Sequence, residues 1–202
     1  MQKNIIVSPS IASANPLCLA EELKKVEEYG YGDLHIDIED GNFVPNITFG
    51  KKTVSALRSA TSLPFSFHLM TRYWREWAEF SAKQNASIVF AHIETLDYPR
   101  EFIFFSKSLK LRCGLAFNMK TPVEGVEYLI DDVDGILLLG VEPDGVGDPF
   151  LPMVLDKVKW LRGRSEKIEI WLDGAVKFER LEEFRQYGIT HAVMGRAFFK
   201  GK

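Results

Sequence analysis

The stretch from Leu34 to Gly50, LHIDIEDGNFVPNITFG, alternates apolar and polar residues and then breaks into a segment rich in turn residues. The apolar residues fall on one face of a β-strand, which places His35 and Asp37 together on the other face. Residues two apart on one face lie about 6 to 7 Å apart along the strand, so both side chains can serve one metal ion. The alternative is a salt-bridged strand in a polar-filled barrel, because a buried charge must be paired or bound to a metal.

The composition of the chain limits its function class. With 202 residues, 46% of them hydrophobic and 26% charged, the chain can bury one sizeable core, and we expect a single domain over residues 1–202. The net charge of −3 gives no basic patch for nucleic acid or for an anionic membrane, so the expected partner is a small molecule. No apolar run approaches the ~18 residues that span a bilayer, and no signal-peptide core is present. Because Cys18 and Cys113 make no disulfide framework, we expect a cytoplasmic protein.

Strand and helix patterns alternate along the whole chain. The eight predicted strands are Ile5 to Ser8, Leu34 to Ile38, Phe65 to Met70, Ile88 to His92, Arg112 to Ala116, Gly135 to Leu139, Ile168 to Leu172 and Ala192 to Gly195. The seven predicted helices are Leu17 to Tyr29, Thr53 to Ser59, Trp74 to Gln84, Arg100 to Leu109, Val123 to Ile130, Met153 to Leu161 and Phe178 to Tyr187. This alternation predicts an α/β protein with a parallel sheet and outer helices.

Eight such units most simply close into a (β/α)₈ TIM barrel. An open doubly wound sheet is the alternative, but it would have a glycine-rich turn after the first strand, where this chain has Pro9-Ser10-Ile11-Ala12. Only residues 196–202 follow the eighth strand, so the last helix is shortened or missing. Phe198 and Phe199 would then lie near exposed apolar surface that a second subunit could cover, which favours a homo-oligomer, a dimer or larger.

Polar residues gather at the carboxyl ends of the predicted strands, where barrels of this kind place their catalytic groups. His35, Asp37, His68 and Asp173 form a mixed nitrogen and oxygen set suited to one Zn²⁺, Mn²⁺ or Fe²⁺ ion. His92 also ends a strand, but a single histidine is more often a hydrogen-bonded structural residue than a metal ligand.

A metal at these four residues would polarise a substrate carbonyl and stabilise the enediolate formed when the adjacent carbon loses a proton. Two aspartates on opposite faces of that carbon could remove a proton on one side and return it on the other. Such a site inverts a stereocentre.

A phosphate site is predicted after the last two strands. Gly174, Ala175 and Gly195 offer backbone N–H groups there, and Arg196 adds a guanidinium. The loop after the sixth strand, which contains Gly147, could close over the same anion.

Over essentially its whole length the chain resembles the ribulose-phosphate 3-epimerase family of metal-dependent sugar-phosphate epimerases. The most specific motif is the pattern HIDxxDGxFVPN, which begins at His35. The other shared motifs are Ser8-Pro9-Ser10, His68-Leu-Met70, His92, Asn118 with Thr121-Pro122, Phe150-Leu-Pro152, Asp173-Gly174 and Gly195.

The resemblance implies a barrel of the ribulose-phosphate-binding type that inverts C3 of a ketose phosphate. It implies a divalent metal on the four residues named above, with Asp37 and Asp173 as proton acceptor and donor. Ser10 and His68 would contact the substrate, and the backbone at 174–175 and 195–196 would bind the phosphate. Usual members act on pentulose 5-phosphates, and a relative acts on allulose 6-phosphate.

The departures from the family pattern concern the substrate. Where the family lines the enediolate with methionines, this chain has Glu39 and Leu139 and keeps only Met70. A carboxylate beside the metal disfavours a developing negative charge unless it becomes a further ligand or hydrogen-bonds a different sugar hydroxyl. Ala175 replaces a second glycine and Arg196 a small residue, so the metal chemistry is inherited more safely than the substrate.

Two other functions remain open from the residues. A phosphate-binding aldolase would need a Schiff-base lysine, and Lys120, on a loop, is the only lysine near a strand end; a decarboxylase on the same barrel belongs to this alternative. A non-catalytic or regulatory barrel that only binds a sugar phosphate is the second alternative, motivated by Glu39 and the acidic loop Asp144–Asp148.

Overall fold

The computed structural model describes residues 4–143 and 149–199 and shows eight parallel strands in a nearly closed barrel. The strands are β1 Ile6–Pro9, β2 Leu34–Glu39, β3 Phe65–Met70, β4 Ala86–His92, β5 Cys113–Phe117, β6 Gly135–Leu139, β7 Glu169–Asp173 and β8 His191–Met194. All eight predicted strands are therefore confirmed, with ends that differ by one or two residues.

The hydrogen-bonded order of the strands is β1-β8-β7-β6-β5-β4-β3-β2. Between β1 and β2, the bridge at Ser10 and His35 links the two edges. This seam brings the end of β1 beside the start of the site on β2.

Helices connect the strands on the outside of the barrel. The α-helices are α1 Leu19–Glu28, α2 Lys51–Ala60, α3 Trp74–Lys83, α4 Pro99–Ser108, α5 Val154–Arg162, α6 Leu181–Tyr187 and α7 Arg196–Phe199. The 3₁₀ segments are Ile11–Ser13, Ile93–Thr95, Glu124–Asp132 and Phe178–Arg180.

The helix predicted over Val123 to Ile130 is a 3₁₀ segment instead, and Val126 inside it has non-helical angles (φ −117°, ψ 15°). Gly125, a poor helix former, precedes this break. Packing still buries the apolar residues of the segment, because tight turns can present them to the core as an α-helix would. The helix predicted over Val123 to Ile130 is therefore wrong in its type, although Val126, Leu129 and Ile130 are buried.

The predicted helix ends are confirmed at their carboxyl termini. Gly30, Asn85 and Gly188 all have positive φ, at 74°, 55° and 89°, as expected for residues that stop a helix. The predicted starts are less accurate, since α1 begins at Leu19 rather than at Leu17, which lies in a turn, and α6 begins at Leu181 rather than at Phe178.

The interior of the barrel has an apolar layer and a polar layer. Phe90, Leu137, Trp171 and their neighbours form a separate apolar cluster inside the barrel, while the apolar face of β2 packs in the main core. Gly114 makes room for this cluster, because an added Cβ would clash with the ring of Phe90. The polar side chains of β2 and β3 lie beyond this apolar layer, at the carboxyl end of the barrel.

The last helix is short, as predicted, and its aromatic residues Phe198 and Phe199 are half-buried. The ring of Phe198 meets those of Tyr29 and Tyr31 edge-on, with centroids 5.8 and 5.2 Å apart. The chain therefore covers part of this apolar surface itself, and a homo-oligomer that covers the rest stays a prediction. Across residues 4–143 and 149–199, no helix is long and apolar enough to cross a bilayer.

Candidate metal centre and active site

The polar end of the barrel opens into a cavity of about 390 Å³, within the size range of small-molecule sites. Most of the predicted site residues line it: Ser10, Asp37, Glu39, Met70, Asp173, Gly174, Ala175, Gly195 and Arg196. His35 and His68 are fully buried beneath its floor. Gly147 and the acidic loop Asp144–Asp148 lie outside the described residues.

His35, Asp37, His68 and Asp173 converge at the bottom of this cavity. Each offers one ligand atom, and these atoms all lie within 4.8 Å of one another. His68 Nδ1 lies 3.1 Å from Asp37 Oδ1 and 3.3 Å from Asp173 Oδ2, so the two carboxylates flank one imidazole nitrogen. His35 Nε2 lies 3.4 Å from Asp37 Oδ1. The cluster can hold a metal ion.

One atom of this cluster lacks a hydrogen-bond partner. His35 Nε2 is buried and makes no hydrogen bond with residues 4–143 and 149–199, although Asp37 Oδ1 lies 3.4 Å from it and buried polar atoms are normally satisfied. A metal would satisfy it, and two imidazoles with two carboxylates match the donors that Zn²⁺, Mn²⁺ and Fe²⁺ accept. The residues present therefore fit a divalent metal.

The loop after β2 folds back onto the site. Asp40 Oδ1 accepts hydrogen bonds from the backbone N–H groups of Asn42 and Phe43, and Gly41 adopts a positive φ of 75°. This turn returns Thr48, whose hydroxyl donates to the carbonyl of Asp37 at 2.5 Å. The DGNFVPN motif thus fixes the backbone of a predicted metal ligand.

The aspartates and histidines of the cluster stabilise each other's charged forms. Burial alone would raise the pKa of Asp37, but His35 and His68 outweigh it and lower that pKa. Burial would likewise lower the pKa of His68, but hydrogen bonds with Asp173 and Asp37 raise it to about 9. Without a metal, His68 is therefore an imidazolium between two carboxylates at neutral pH. Ser10 Oγ also donates to Asp37 Oδ2, at 2.5 Å.

Glu39 lies on the wall of the cavity, beside these carboxylates. Burial and the charge of Asp37 raise the pKa of Glu39 to about 7, although a hydrogen bond from Asn46 Nδ2 at 2.7 Å opposes the shift. The strand register places Glu39 beside Met70. A carboxyl group therefore shares the substrate wall with an apolar side chain.

Sequence reasoning missed the residues that lie behind the two histidines. His35 Nδ1 lies 2.9 Å from Ser66 Oγ, which donates to Asp33 Oδ1 at 2.8 Å. His68 Nε2 lies 2.8 Å from His92 Nε2, so the interpretation of His92 as a structural residue overlooked its link to the site. The spacing of His92 and Glu94, the same as that of His35 and Asp37, was the available signal.

His92 and Glu94 continue the second of these networks. His92 Nδ1 lies 3.0 Å from Glu94 Oε2, and Glu94 Oε1 accepts from the N–H of Asn118 at 2.9 Å and from the hydroxyl of Thr121. Burial would raise the pKa of Glu94, but His92 and these donors lower it to about 2. Burial dominates for His92 and lowers its pKa to about 4. The pair is thus an ionised carboxylate with a neutral imidazole.

The predicted phosphate residues lie at the rim on the β7 and β8 side. Gly174 and Ala175 both have positive φ, 98° and 52°, in the turn that ends β7. A side chain at Gly174 would clash with Val141, so the turn depends on glycine there. Arg196 begins the short helix α7, and its side chain is exposed beside the cavity.

Known proteins resemble this chain along nearly its whole length. The family model for the ribulose-phosphate 3 epimerase family matches residues 6–199. A ribulose-phosphate 3-epimerase from Bacillus subtilis is 35% identical, with 96% of this chain and 92% of that protein covered. A ribulose-phosphate 3-epimerase from Synechocystis is also 35% identical, over 98% of this chain and 89% of that protein. A chloroplastic ribulose-5-phosphate-3-epimerase from Arabidopsis thaliana is 37% identical, over 100% of this chain and 74% of that protein.

Among solved structures, a tryptophan synthase alpha-subunit from Pyrococcus furiosus superposes with a TM-score of 0.72 at 14% identity, covering 99% of this chain and 91% of that one. At that identity the likeness shows the TIM-barrel fold alone. The sequence relationship is more specific, and it agrees with the His and Asp cluster at the carboxyl end of the strands. This chain belongs to the ribulose-phosphate 3-epimerase family, a family of isomerases.

Proposed function

We propose that this protein is a metal-dependent epimerase that inverts C3 of a ketose phosphate. The substrate is the ribulose 5-phosphate and xylulose 5-phosphate pair or a related pentulose or hexulose phosphate. The observation that supports this most directly is the approach of Asp37 and Asp173 to one atom, His68 Nδ1, at 3.1 and 3.3 Å, beside the cavity that both aspartates line. A two-sided proton transfer requires two carboxylates at one site, one for each face of the substrate carbon.

The metal would be held by His35, Asp37, His68 and Asp173, with Zn²⁺, Mn²⁺ and Fe²⁺ as the candidate ions. When bound, a divalent ion supplies a Lewis acid that polarises a carbonyl and stabilises negative charge as it develops. Because the histidines are fully buried, they cannot move away from the site to find other partners.

The two aspartates carry out the proton transfers. One carboxylate accepts the C3 proton, and the electron pair of that C–H bond moves into the C2–C3 bond to leave an enediolate. The other aspartic acid then returns a proton to C3 from the opposite face. Ser10 donates to Asp37 Oδ2, and this hydrogen bond directs the remaining lone pairs of that carboxylate toward the cavity.

The substrate is positioned by the two ends of the cavity. The backbone of Gly174, Ala175 and Gly195 and the guanidinium of Arg196 would bind the phosphate at the rim, together with Gly147 from the loop after β6. This side of the cavity is closely built, because a side chain at Gly195 would clash with the hydroxyl of Ser13.

Glu39 and Met70 would contact the sugar between the metal and the rim. Asn46 holds one oxygen of the Glu39 carboxyl group, and the group still lines the cavity. A sugar hydroxyl is the complementary donor, whereas a wholly apolar wall would offer it no partner. We therefore propose that Glu39 binds a substrate hydroxyl.

Turnover on a panel of ketose phosphates tests this function. The purified chain, freed of metal and reloaded with Zn²⁺, Mn²⁺ or Fe²⁺, is incubated with pentulose and hexulose phosphates in D₂O and followed by NMR. We expect inversion at C3 of at least one substrate, deuterium at C3 of the product, and loss of both with a chelator. Binding of these sugars without inversion under any of the three metals would instead indicate a non-catalytic sugar-phosphate-binding barrel.

A further inference from the structure

A line of buried side chains lies behind His68, on the side away from the cavity. The rings of His68 and His92 meet edge to edge, with centroids 5.0 Å apart and planes at 26°, and their Nε2 atoms are 2.8 Å apart. Both residues are fully buried. Two imidazole nitrogens at this distance form a hydrogen bond only when one carries the proton and the other does not.

Glu94 determines which nitrogen carries it. An ionised carboxylate can only accept, so the 3.0 Å contact with Glu94 Oε2 requires a proton on His92 Nδ1. With this proton on Nδ1, His92 can offer a bare Nε2 to His68 at 2.8 Å, and it then accepts the hydrogen bond from His68 Nε2. One proton of His68 is thereby held on Nε2, so the proton that a metal can displace is the one on Nδ1, the atom that faces Asp37 and Asp173.

We propose that Glu94 and His92 are positioning residues that select the metal-binding tautomer of His68. This inference rests on the proposed metal-dependent function and assigns a role to two residues outside the ligand set. Glu94 is itself fixed, because Oε1 accepts from the backbone N–H of Asn118 and from the hydroxyl of Thr121. The position of Glu94 thus fixes the donor and acceptor atoms of His92, and His92 in turn fixes those of His68.

The other histidine of the cluster has the same arrangement. Ser66 Oγ donates its proton to Asp33, so it can only accept from His35 Nδ1. This puts the proton of His35 on Nδ1 and leaves the bare Nε2, which is the buried atom without a partner in the cluster. Carboxylates that orient metal-bound histidines through the second ring nitrogen are a general feature of metal sites.

Glu94→Gln reverses the hydrogen bonds with almost no change of shape. Its amide oxygen must take the Oε1 position, because Asn118 and Thr121 both donate there. The NH₂ group then faces His92 Nδ1, which must become the acceptor, and His92 Nε2 becomes a donor. His68 Nε2 loses its acceptor and must itself accept, so the only proton of His68 is then on Nδ1, and a metal cannot displace it without breaking the hydrogen bond between the two histidines.

The test compares Glu94→Gln with Glu94→Ala, which removes the acceptor but adds no donor. Zinc affinity is measured by competition with a chromogenic chelator, and the stability of each metal-free variant by thermal unfolding. We expect Glu94→Gln to bind zinc at least about tenfold more weakly than wild type and more weakly than Glu94→Ala. The alanine variant should instead be the less stable of the two. A purely structural role predicts the alanine variant to be worse in both measurements.

Glu124→Gln, an equal loss of charge at an exposed position on the same face, should bind zinc within about twofold of wild type. Imidazole ¹⁵N NMR of the metal-free protein should show the His92 proton on Nδ1 in wild type and on Nε2 in Glu94→Gln. If Glu94→Gln does not fold, His92→Phe keeps an aromatic ring beside His68 without an acceptor and should bind zinc at least about tenfold more weakly.

The inference would be overturned if Glu94→Gln bound zinc as tightly as wild type, or if His92→Phe did so where Glu94→Gln does not fold. Either result would leave the proposed function standing. Failure of the wild-type chain to bind zinc, Mn²⁺ or Fe²⁺ would overturn both.

Discussion

Two buried histidines at opposite ends of one barrel have opposite electrostatic properties. At the carboxyl end, Asp173 and Asp37 raise the pKa of His68 to about 9 against the effect of burial. At the amino end, His191 lies flat against Trp171, with ring centroids 4.0 Å apart and planes at 2°, and burial lowers its pKa to about 4. The strand pattern gives both residues a place inside the barrel. The carboxylates of Asp37 and Asp173 beside His68 therefore distinguish the candidate metal site from the packed core around His191.

Replacing each histidine with phenylalanine should give the largest contrast. His68→Phe removes one of the proposed metal ligands, and we expect zinc affinity and epimerase activity to fall by more than about 100-fold, beyond the effect typical of residues outside the ligand set. His191→Phe keeps the aromatic contact with Trp171 and should leave both quantities within about twofold. Chelator competition and turnover on the same preparations measure them; equal losses in the two variants would contradict the comparison.

Glu39→Met sharpens the contrast within the carboxyl end. If Glu39 binds a substrate hydroxyl, its loss should change the ratio of kcat/KM between two ketose phosphates by about tenfold or more. Glu39→Gln keeps a hydrogen-bonding group of the same size and serves as the matched control. Parallel changes for all sugars in both variants would remove Glu39 from substrate selection.

Metal binding should release a proton from the carboxyl end of the barrel. The pKa of His68 is about 9 without metal, so at pH 7.5 its Nδ1 carries a proton that a metal must displace. Calorimetry in two buffers of different ionisation enthalpy should report release of about one proton per metal in wild type and in His191→Phe. No proton release in wild type would show that His68 is neutral before binding.

The pH dependence of stability gives the smallest effect. The folded pKa of His191 is lowered to about 4, below its ordinary value of 6.5, so its contribution to stability is present above pH 6.5 and is lost as pH falls toward 4. His68, with a raised pKa, contributes below pH 6.5 and loses its contribution as pH rises through about 9. Denaturant unfolding of the metal-free chain should show a shallower loss on the acid side in His191→Phe, and no change on the alkaline side.

The sequence predicted the parts of this molecule that follow from local pattern. Period-two alternation located β2 and put His35 and Asp37 on its inner face, and alternating units gave the barrel and thus the meeting point of the strand ends. The strand-end residues and the shared motifs both predicted the set His35, Asp37, His68 and Asp173, whose ligand atoms lie within 4.8 Å of one another. These predictions needed no knowledge of distances between side chains.

The sequence could not predict features that depend on contacts across the barrel. Whether His92 is a structural residue or is joined to His68 depends on the register between β3 and β4, which no local pattern specifies. The covering of Phe198 by Tyr29 and Tyr31 depends on how the last short helix meets α1. The 3₁₀ form of the segment Glu124–Asp132 was not predicted, because an apolar residue can be buried from a 3₁₀ turn as well as from the predicted α-helix.

Isotope exchange at C3 with two single variants tests the central claim most directly. Asp37→Asn and Asp173→Asn are compared in D₂O at saturating zinc, with metal content verified for each. Opposed aspartates predict that each variant loses inversion by about 1,000-fold or more, yet still exchanges the C3 proton of one epimer, and that the two variants retain opposite epimers. Exchange of the same epimer by both variants, or inversion retained by either, would contradict the account.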